Sequence, residues 1–368
     1  MTQSVSPGLR LLRWALFVSV MLAACGERTS QHGSAKTEAT QASPEAPGMD
    51  KPATEETSEV PRLVVYSGRG SVLVQPLFDR FTAQTGIQLD MRYADGTEAL
   101  ARRLVAEGAD TRADVFFAQD SGYLGSLAKA NLLRELPESV VSRVSADYRG
   151  EGKRWVGVSG RARVLVYSPE RVPGDQLPKT LFELADPRFK GRLGWAPSNA
   201  SFQAHVSALR AIWGEAKAKG WLSQMQALEP VVYPKNSPQV KAVSRGEIDI
   251  GWVNHYYLHK LRKADPSLRA ANYSFPTRGD AGNVMMLSGV GITRASRHVK
   301  QAEQLVTFLL EEASQNYFAQ EVFEHPTVAG VAGHKDVPSL RGVVAEVDQE
   351  ALTDVGTTLS MLRALGIQ

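Results

Sequence analysis

The segment LVVYSGRGSVLVQPLFDRFTAQTGIQLDMRY, residues 63–93, sets the fold class of this chain. A short apolar run typical of a buried strand comes first, a helix ended by Gly86 follows, and a second strand closes the segment. The order then recurs, so that the predicted strands are 63–66, 88–93 and 113–117 and the predicted helices are 75–85 and 97–107. Strands and helices that alternate at this spacing predict an open parallel sheet with helices on both faces.

A second α/β set lies further along the chain. Strands are predicted at 193–196 and 248–253, helices at 202–213 and 239–245, and an apolar run at 284–292 leads into an amphipathic helix at 299–310. Two such lobes joined by extended crossings leave a cleft, and ligands gather outside the carboxyl ends of strands. We expect lobe 1 to comprise 62–162 and about 288–337, and lobe 2 to comprise 163–287 and about 338–368.

The first residues have the pattern of an export signal. Arg10 and Arg13 precede a short apolar run, Trp14–Leu22, which is too short for a stable bilayer span. The sequence LAAC at residues 22–25 resembles the lipobox of bacterial lipoproteins. We expect a signal peptide over 1–24, a lipid on Cys25 and a membrane-anchored protein on the periplasmic or extracytoplasmic face, the alternative being an ordinary signal peptide with a chance cysteine.

Composition limits the function further. Residues 25–61 are rich in Ser, Thr, Glu, Ala and Pro, which predicts a flexible tether. The 42 basic and 39 acidic residues are interspersed, so nothing indicates nucleic-acid binding. Cys25 is the single cysteine, which excludes an internal disulfide and a cysteine-based metal cluster.

Tyr256 and Tyr257 are adjacent where a predicted strand passes into a helix, with Asn254 as the expected helix cap. Two phenolates are hard oxygen donors and suit a hard trivalent ion. A phenol has a pKa of ~10, so metal binding must displace its proton and should weaken in acid. The alternative is a tyrosine pair that stacks on an organic ligand or lines the cleft wall.

The turn after the first strand, YSGRG at 66–70, is a candidate anion site. Gly68 and Gly70 permit close backbone approach, and Arg69 can clamp a carbonate or phosphate bidentately. Tyr66 in this turn, and Gln119 and Asp120 after a later strand, can reach the cleft.

Other polar residues indicate structural roles. Arg161 and Arg163 are expected to form structural salt bridges, and His255 and His259 are expected to lie on a helix surface. No Ser/His/Asp order, carboxylate pair or nucleophile elbow stands out, so the sequence does not indicate an enzyme.

Six motifs in one order make residues 63–331 resemble the bacterial ferric-ion-binding periplasmic proteins of iron ABC transporters. They are YSGRG at 66–70, ADVFF at 113–117, SGRAR at 159–163, DP with KGR at 186–192, YPKN at 233–236 and NHYY at 254–257. The resemblance implies a type II-like periplasmic-binding-protein fold: α/β, two-lobed, each lobe a mixed sheet flanked by helices.

The resemblance also implies site residues. The family's paired tyrosine ligands fall on Tyr256 and Tyr257, and its contacts to a synergistic anion fall on Asn199, Ala200, Ser201, Asn236 and Asn254. Some relatives add a His and a Glu, which fall on Gly70 and Gln119 here, and others add a tyrosine that residues 199–202 lack. Iron would then depend on an exogenous anion.

The resemblance thus implies a monomeric protein that binds Fe(III) with carbonate or bicarbonate held near Arg69. Its partners would be the membrane permease and the ATPase of an ABC importer. The alternative is the same fold that binds an anion or small organic solute without iron, through Arg69, Asn199, Ser201, Asn236 and Asn254.

Overall fold

The computed structural model describes residues 62–94, 96–340 and 342–367. The predicted signal peptide, tether and lipidated Cys25 lie outside the described residues. The strands are β1 Arg62–Ser67, β2 Gln88–Tyr93, β3 Val115–Ala118, β4 Val156–Tyr167, β5 Leu193–Trp195, β6 Val231–Val232, β7 Ile250–Asn254, β8 Ala271–Tyr273, β9 Met285–Ile292 and β10 His325–Pro326.

The α-helices are α1 Ser71–Thr85, α2 Thr97–Glu107, α3 Gly122–Lys129, α4 Glu138–Val141, α5 Ala200–Trp213, α6 Glu215–Ala227, α7 Asn236–Arg245, α8 Tyr256–Ala264, α9 Val299–Leu309, α10 Glu312–Gln320 and α11 Val355–Ala364. None of the helices in the described part of the chain is both long and apolar enough to cross a membrane.

The strands form one curled, mixed sheet in the order β2-β1-β3-β9-β4-β7-β5-β6. The predicted parallel pairing is confirmed for β1 with β2 and β3, and for β5 with β6 and β7. The expectation of a parallel sheet is wrong for the central strands. There, β9 runs antiparallel to β3 and β4, and β4 runs antiparallel to β7.

The long strand β4 connects the two halves of this sheet. Its residues up to Ala162 pair with β9, and its residues from Arg163 onward pair with β7 and β8. Of its 12 residues, 11 are buried, including two arginines. Because β4 belongs to both halves of the sheet, side chains near residues 162 and 163, where its pairing changes, can contact groups from either half.

The core divides in the same way. One apolar cluster packs α1, α9 and α10 against β1 and β3, with Phe78, Phe117 and Leu305 at its centre. A second packs α5 and α6 against β5 and β7 around Trp252. These two clusters share no residue, which matches the expected two-lobed α/β fold, while the exact lobe limits stay a prediction.

Candidate functional site

The tyrosine pair, Tyr256 and Tyr257, opens α8 directly after β7. The two rings stack with centroids 4.3 Å apart and planes 28° apart. Tyr256 is 9% exposed and Tyr257 is half-buried. The two phenol rings therefore lie side by side at the end of a buried strand.

Burial is the main reason that the pKa of Tyr256 lies above its usual value, and the neighbouring Tyr257 raises it further. The positive charge of Arg161 acts in the opposite direction. Tyr256 therefore keeps its proton at neutral pH, and a cation that binds its oxygen must displace that proton.

The side chains predicted to hold an anion converge on the guanidinium of Arg163. Its Nη1 donates to the side-chain oxygen of Asn254 at 3.0 Å and to that of Asn236 at 3.2 Å. The same nitrogen donates to the Ser201 hydroxyl at 3.2 Å. Nη2 donates to the carbonyl oxygen of Trp252 at 2.8 Å.

Asn199 completes this arrangement from the start of α5. Its side-chain oxygen caps the helix by accepting from the Ser201 amide at 3.1 Å, and it accepts from the Asn236 side-chain nitrogen at 3.2 Å. The intervening Ala200 is exposed. We call Arg163, Asn199, Ser201, Asn236 and Asn254 the Arg163 cluster.

Arg163 is fully buried and has no carboxylate partner in the part of the chain that the structure describes. Burial lowers the pKa of Arg163 to about 9, and the nearby phenols of Tyr257 and Tyr256 oppose this shift. The guanidinium remains charged at neutral pH. The expectation of a structural salt bridge is wrong for Arg163.

For Arg161 the same expectation is confirmed. Its Nη2 lies 2.5 Å from the carboxylate of Asp120 and also donates to the backbone oxygen of Gln119. Burial lowers the pKa of Arg161, but the charges of Asp120, Glu324 and Tyr256 outweigh it, so the net shift is upward. Gln119 and Asp120 are half-buried, and Arg161 holds both residues at the end of β3.

Arg69 lies apart from the Arg163 cluster and has a carboxylate of its own. Its Nη2 contacts both Glu324 oxygens at 3.0 and 3.1 Å, and its Nη1 donates to the Ser288 hydroxyl at 2.8 Å. The Arg69 and Glu324 side chains are 1% and 0% exposed. The guanidinium therefore faces a buried internal partner.

The glycines on either side of Arg69 differ in their surroundings. The Gly68 amide donates to the Phe117 carbonyl oxygen at 2.9 Å, and a Cβ on Gly68 would lie 2.3 Å from the Thr97 hydroxyl. A Cβ on Gly70 would meet nothing within 4 Å. Tyr66 is buried, and its hydroxyl donates to Glu107 at 2.9 Å, so the structure does not bring it to the tyrosine pair.

Two expectations at the end of β7 are wrong. Asn254 does not cap α8, because its side-chain oxygen accepts from Arg163. His255 and His259 do not lie on the surface, being only 2% and 6% exposed. His255 accepts from the Ala162 amide at 3.1 Å and donates to the Phe323 carbonyl oxygen at 2.6 Å, which fixes the junction that carries the tyrosines.

Within residues 62–94, 96–340 and 342–367, no group of three or more His, Cys, Asp or Glu side chains is arranged to hold a metal ion. A metal at this site would depend on the phenol oxygens. The contribution of Arg163 was missed from the sequence, although one signal was present. Arg161 and Arg163 are two apart on one strand, which places both on the same side of it.

The bacterial extracellular solute-binding protein family model matches residues 110–341. The Fe(3+)-binding periplasmic protein of Serratia marcescens is 31% identical over 309 residues, which are 82% of this chain and 90% of that protein. Iron-bound HitA from Pseudomonas aeruginosa aligns with a TM-score of 0.75 at 30% identity, over 83% of this chain and 99% of HitA. The Trichodesmium protein IdiA (FutA), in complex with iron and citrate ligands, aligns with a TM-score of 0.72 at 26% identity, over 83% of this chain and 100% of IdiA.

Proposed function

Because the chain belongs to the bacterial extracellular solute-binding protein family, we propose that it binds ferric iron with a small anion in the cleft between its lobes. The stacked tyrosine pair carries this proposal, since it offers two adjacent hard oxygen donors. The relatives named for Fe(3+) binding and for bound iron support the choice of cargo.

Charge supports an anion beside the metal. Two phenolates leave ferric iron with one positive charge, and a divalent anion reverses that sign. The positive charge of Arg163 then brings the buried site to neutrality, because Arg69 and Arg161 are already paired with Glu324 and Asp120. We therefore place the anion next to Arg163 rather than next to Arg69.

Carbonate, formed from bicarbonate as it binds, is the anion that we propose, with a carboxylate such as citrate as the competing choice. The iron and citrate ligands of the Trichodesmium structure support a carboxylate in such a site. The Arg163 cluster supplies neutral amide and hydroxyl groups, which suit a planar oxyanion.

Delivery follows from the two lobes. Asp120 follows β3 in the first lobe and pairs with Arg161 of β4, the strand that continues into the second lobe, so the two lobes can close about this connection as about a hinge. We propose that the closed, monomeric protein docks on the permease of an ABC importer driven by its ATPase. A lipid on Cys25 would keep the protein on the outer side of a membrane, and no catalysis is involved.

A visible spectrum tests the assignment. Protein lacking residues 1–24 is titrated with ferric citrate, and binding through phenolates should produce a charge-transfer band. Tyr256→Phe and Tyr257→Phe should each weaken the band, and the double variant should abolish it. Tyr233→Phe is the matched control, because Tyr233 is a half-buried tyrosine of the second lobe outside the pair.

A band that persists in the double variant would exclude the tyrosine pair as ligands. If wild-type protein shows no band, thermal shifts with citrate, carbonate or phosphate alone test the alternative of an iron-free anion or organic solute. A ligand that binds only the folded state raises its melting temperature.

A further inference from the structure

We propose that Arg163 is a positioning residue for the anion: it orients the surrounding amides and supplies the fixed positive charge of the site. This inference rests on the proposed function, because it concerns the anion that accompanies ferric iron. The geometry of the second lobe carries it.

Arg163 sets the direction of the amide groups around it. A guanidinium carries only donors, so every side-chain atom that faces it must be an acceptor. Arg163 contacts the oxygens of Asn254 and Asn236 at 3.0 and 3.2 Å. Each amide oxygen is thereby held toward Arg163, and each NH₂ group is turned away from it. The NH₂ group of Asn236 donates to Asn199 and Ser201 within the cluster, so the NH₂ group of Asn254 is the amide donor that an anion at this surface would meet.

The pairing of β4 with β7 places Arg163 next to the tyrosine pair in sequence register. Arg163 pairs with Asn254 in the register of β4 and β7, and the tyrosine pair follows Asn254 after one residue. The guanidinium also lies over the Trp252 ring, 5.3 Å from its centroid. The backbone ladder therefore fixes the charge relative to the phenol oxygens before any ligand arrives.

The buried charge of Arg163 is not compensated by any carboxylate in the described ranges. Four arginines of the described residues are buried, and three of them have carboxylates: Arg69 with Glu324, Arg161 with Asp120, and Arg210 with Glu215 and Asp354. Arg163 contacts only neutral oxygens, and its buried Nε has no hydrogen-bond partner. An unpaired buried cation is costly unless an opposite charge joins it. The negative charges of the anion and of the two phenolates would compensate the positive charge of Arg163.

The test measures how much an anion strengthens iron binding. Fe(III) is titrated against EDTA in bicarbonate-free buffer, and again with bicarbonate or citrate added, while the charge-transfer band is monitored. The anion should raise the apparent affinity of wild-type protein for Fe(III) at least about tenfold, and we call this increase the anion gain. In Arg163→Met this gain should fall to less than about twofold. Arg163→Lys keeps the positive charge without the planar, bidentate guanidinium, and it should recover part of the anion gain.

A second variant covers the case in which Arg163→Met does not fold. Asn254→Asp gives Arg163 a carboxylate at a distance the strand register already sets. It should raise the melting temperature and abolish the anion gain, a combination that simple damage would not produce. Arg210→Met is the matched control: it removes a buried second-lobe arginine and should lower stability while leaving the anion gain unchanged.

The outcomes separate the two proposals. A wild-type protein without a charge-transfer band contradicts the proposed function itself. A wild-type band with no anion gain, or an anion gain that survives in both Arg163→Met and Asn254→Asp, contradicts the role of Arg163 and leaves iron binding intact.

Discussion

Glu324→Gln tests whether Arg69 is a structural residue paired with Glu324 and not the arginine that binds the anion. The change is nearly isosteric, and it leaves the Ser159 hydroxyl, now 2.6 Å from Glu324, with an acceptor. It also leaves the Arg69 guanidinium buried beside a neutral group. The pair therefore loses its charge balance without losing its packing.

The magnitude follows from burial, because both side chains are at most 1% exposed. Removing one partner of such a pair costs about 3–5 kcal/mol of unfolding free energy. For a chain of this size that corresponds to a fall in melting temperature of about 5–8 °C. Replacing both partners removes the uncompensated charge, so Arg69→Met combined with Glu324→Gln should be more stable than Glu324→Gln alone.

Thermal unfolding followed by circular dichroism measures these differences, with the exposed pair Lys153→Met and Glu138→Gln as the control. That pair is 49% and 64% exposed and should contribute about 0–1 kcal/mol. The anion gain in iron binding should survive in the double Arg69 and Glu324 variant. A double variant that keeps its stability but loses the anion gain would refute the structural reading and return the anion to Arg69.

Three further predictions concern packing, pH and release. Gly68→Ala should cost about 1–3 kcal/mol, since a Cβ there would lie 2.3 Å from a threonine hydroxyl. Gly70→Ala meets no clash and should cost less, about 0.5–1 kcal/mol, because Gly is preferred over Ala at the start of α1; urea unfolding compares the two. Burial lowers the pKa of His205 to about 3, below the unfolded value of ~6.5, so its contribution is complete above ~6.5 and declines by up to about 1.4 kcal/mol per pH unit toward 3. His205→Gln should flatten that decline in unfolding free energy, and an unchanged slope would contradict the assignment. Iron affinity should fall by up to ~100-fold per pH unit in acid, because two phenols must lose protons, and a pH-independent affinity in EDTA competition would contradict this.

Local pattern was sufficient for most of the regular elements. The strand Gln88–Tyr93 and the helix Thr97–Glu107 have the predicted bounds, because apolar periodicity and a terminal glycine define both. The predicted start of α1 at Gln75 is four residues late, since Gly70 caps the helix and Pro76 is tolerated near its first turn. The long strand β4 was not predicted, because two arginines interrupt its apolar run.

Partners distant in sequence could not be predicted. Arg69 and Glu324 are 255 positions apart, and nothing in the turn that contains Arg69 indicates a buried carboxylate. Arg163 and Asn254 are 91 positions apart and meet through strand pairing. The resemblance located the asparagines, but only the register of β4 against β7 showed which cation they surround.

The tyrosine pair illustrates the same limit. Its adjacency at a strand-to-helix junction was visible in the sequence, whereas the stacking of its rings and their coupling to Arg161 and Arg163 depend on tertiary structure. A spacing pattern can identify candidate metal-ligand oxygens, but the charged side chains around those oxygens come from other helices and strands.

Anomalous X-ray scattering at the iron edge, from crystals loaded with ferric iron and bicarbonate, tests the central claim most directly. One iron peak should lie within bonding distance of both phenol oxygens of Tyr256 and Tyr257, with an anion between it and the Arg163 cluster. A peak bonded to neither phenol oxygen, or the absence of any peak in crystals of protein that has taken up iron in solution, would contradict it.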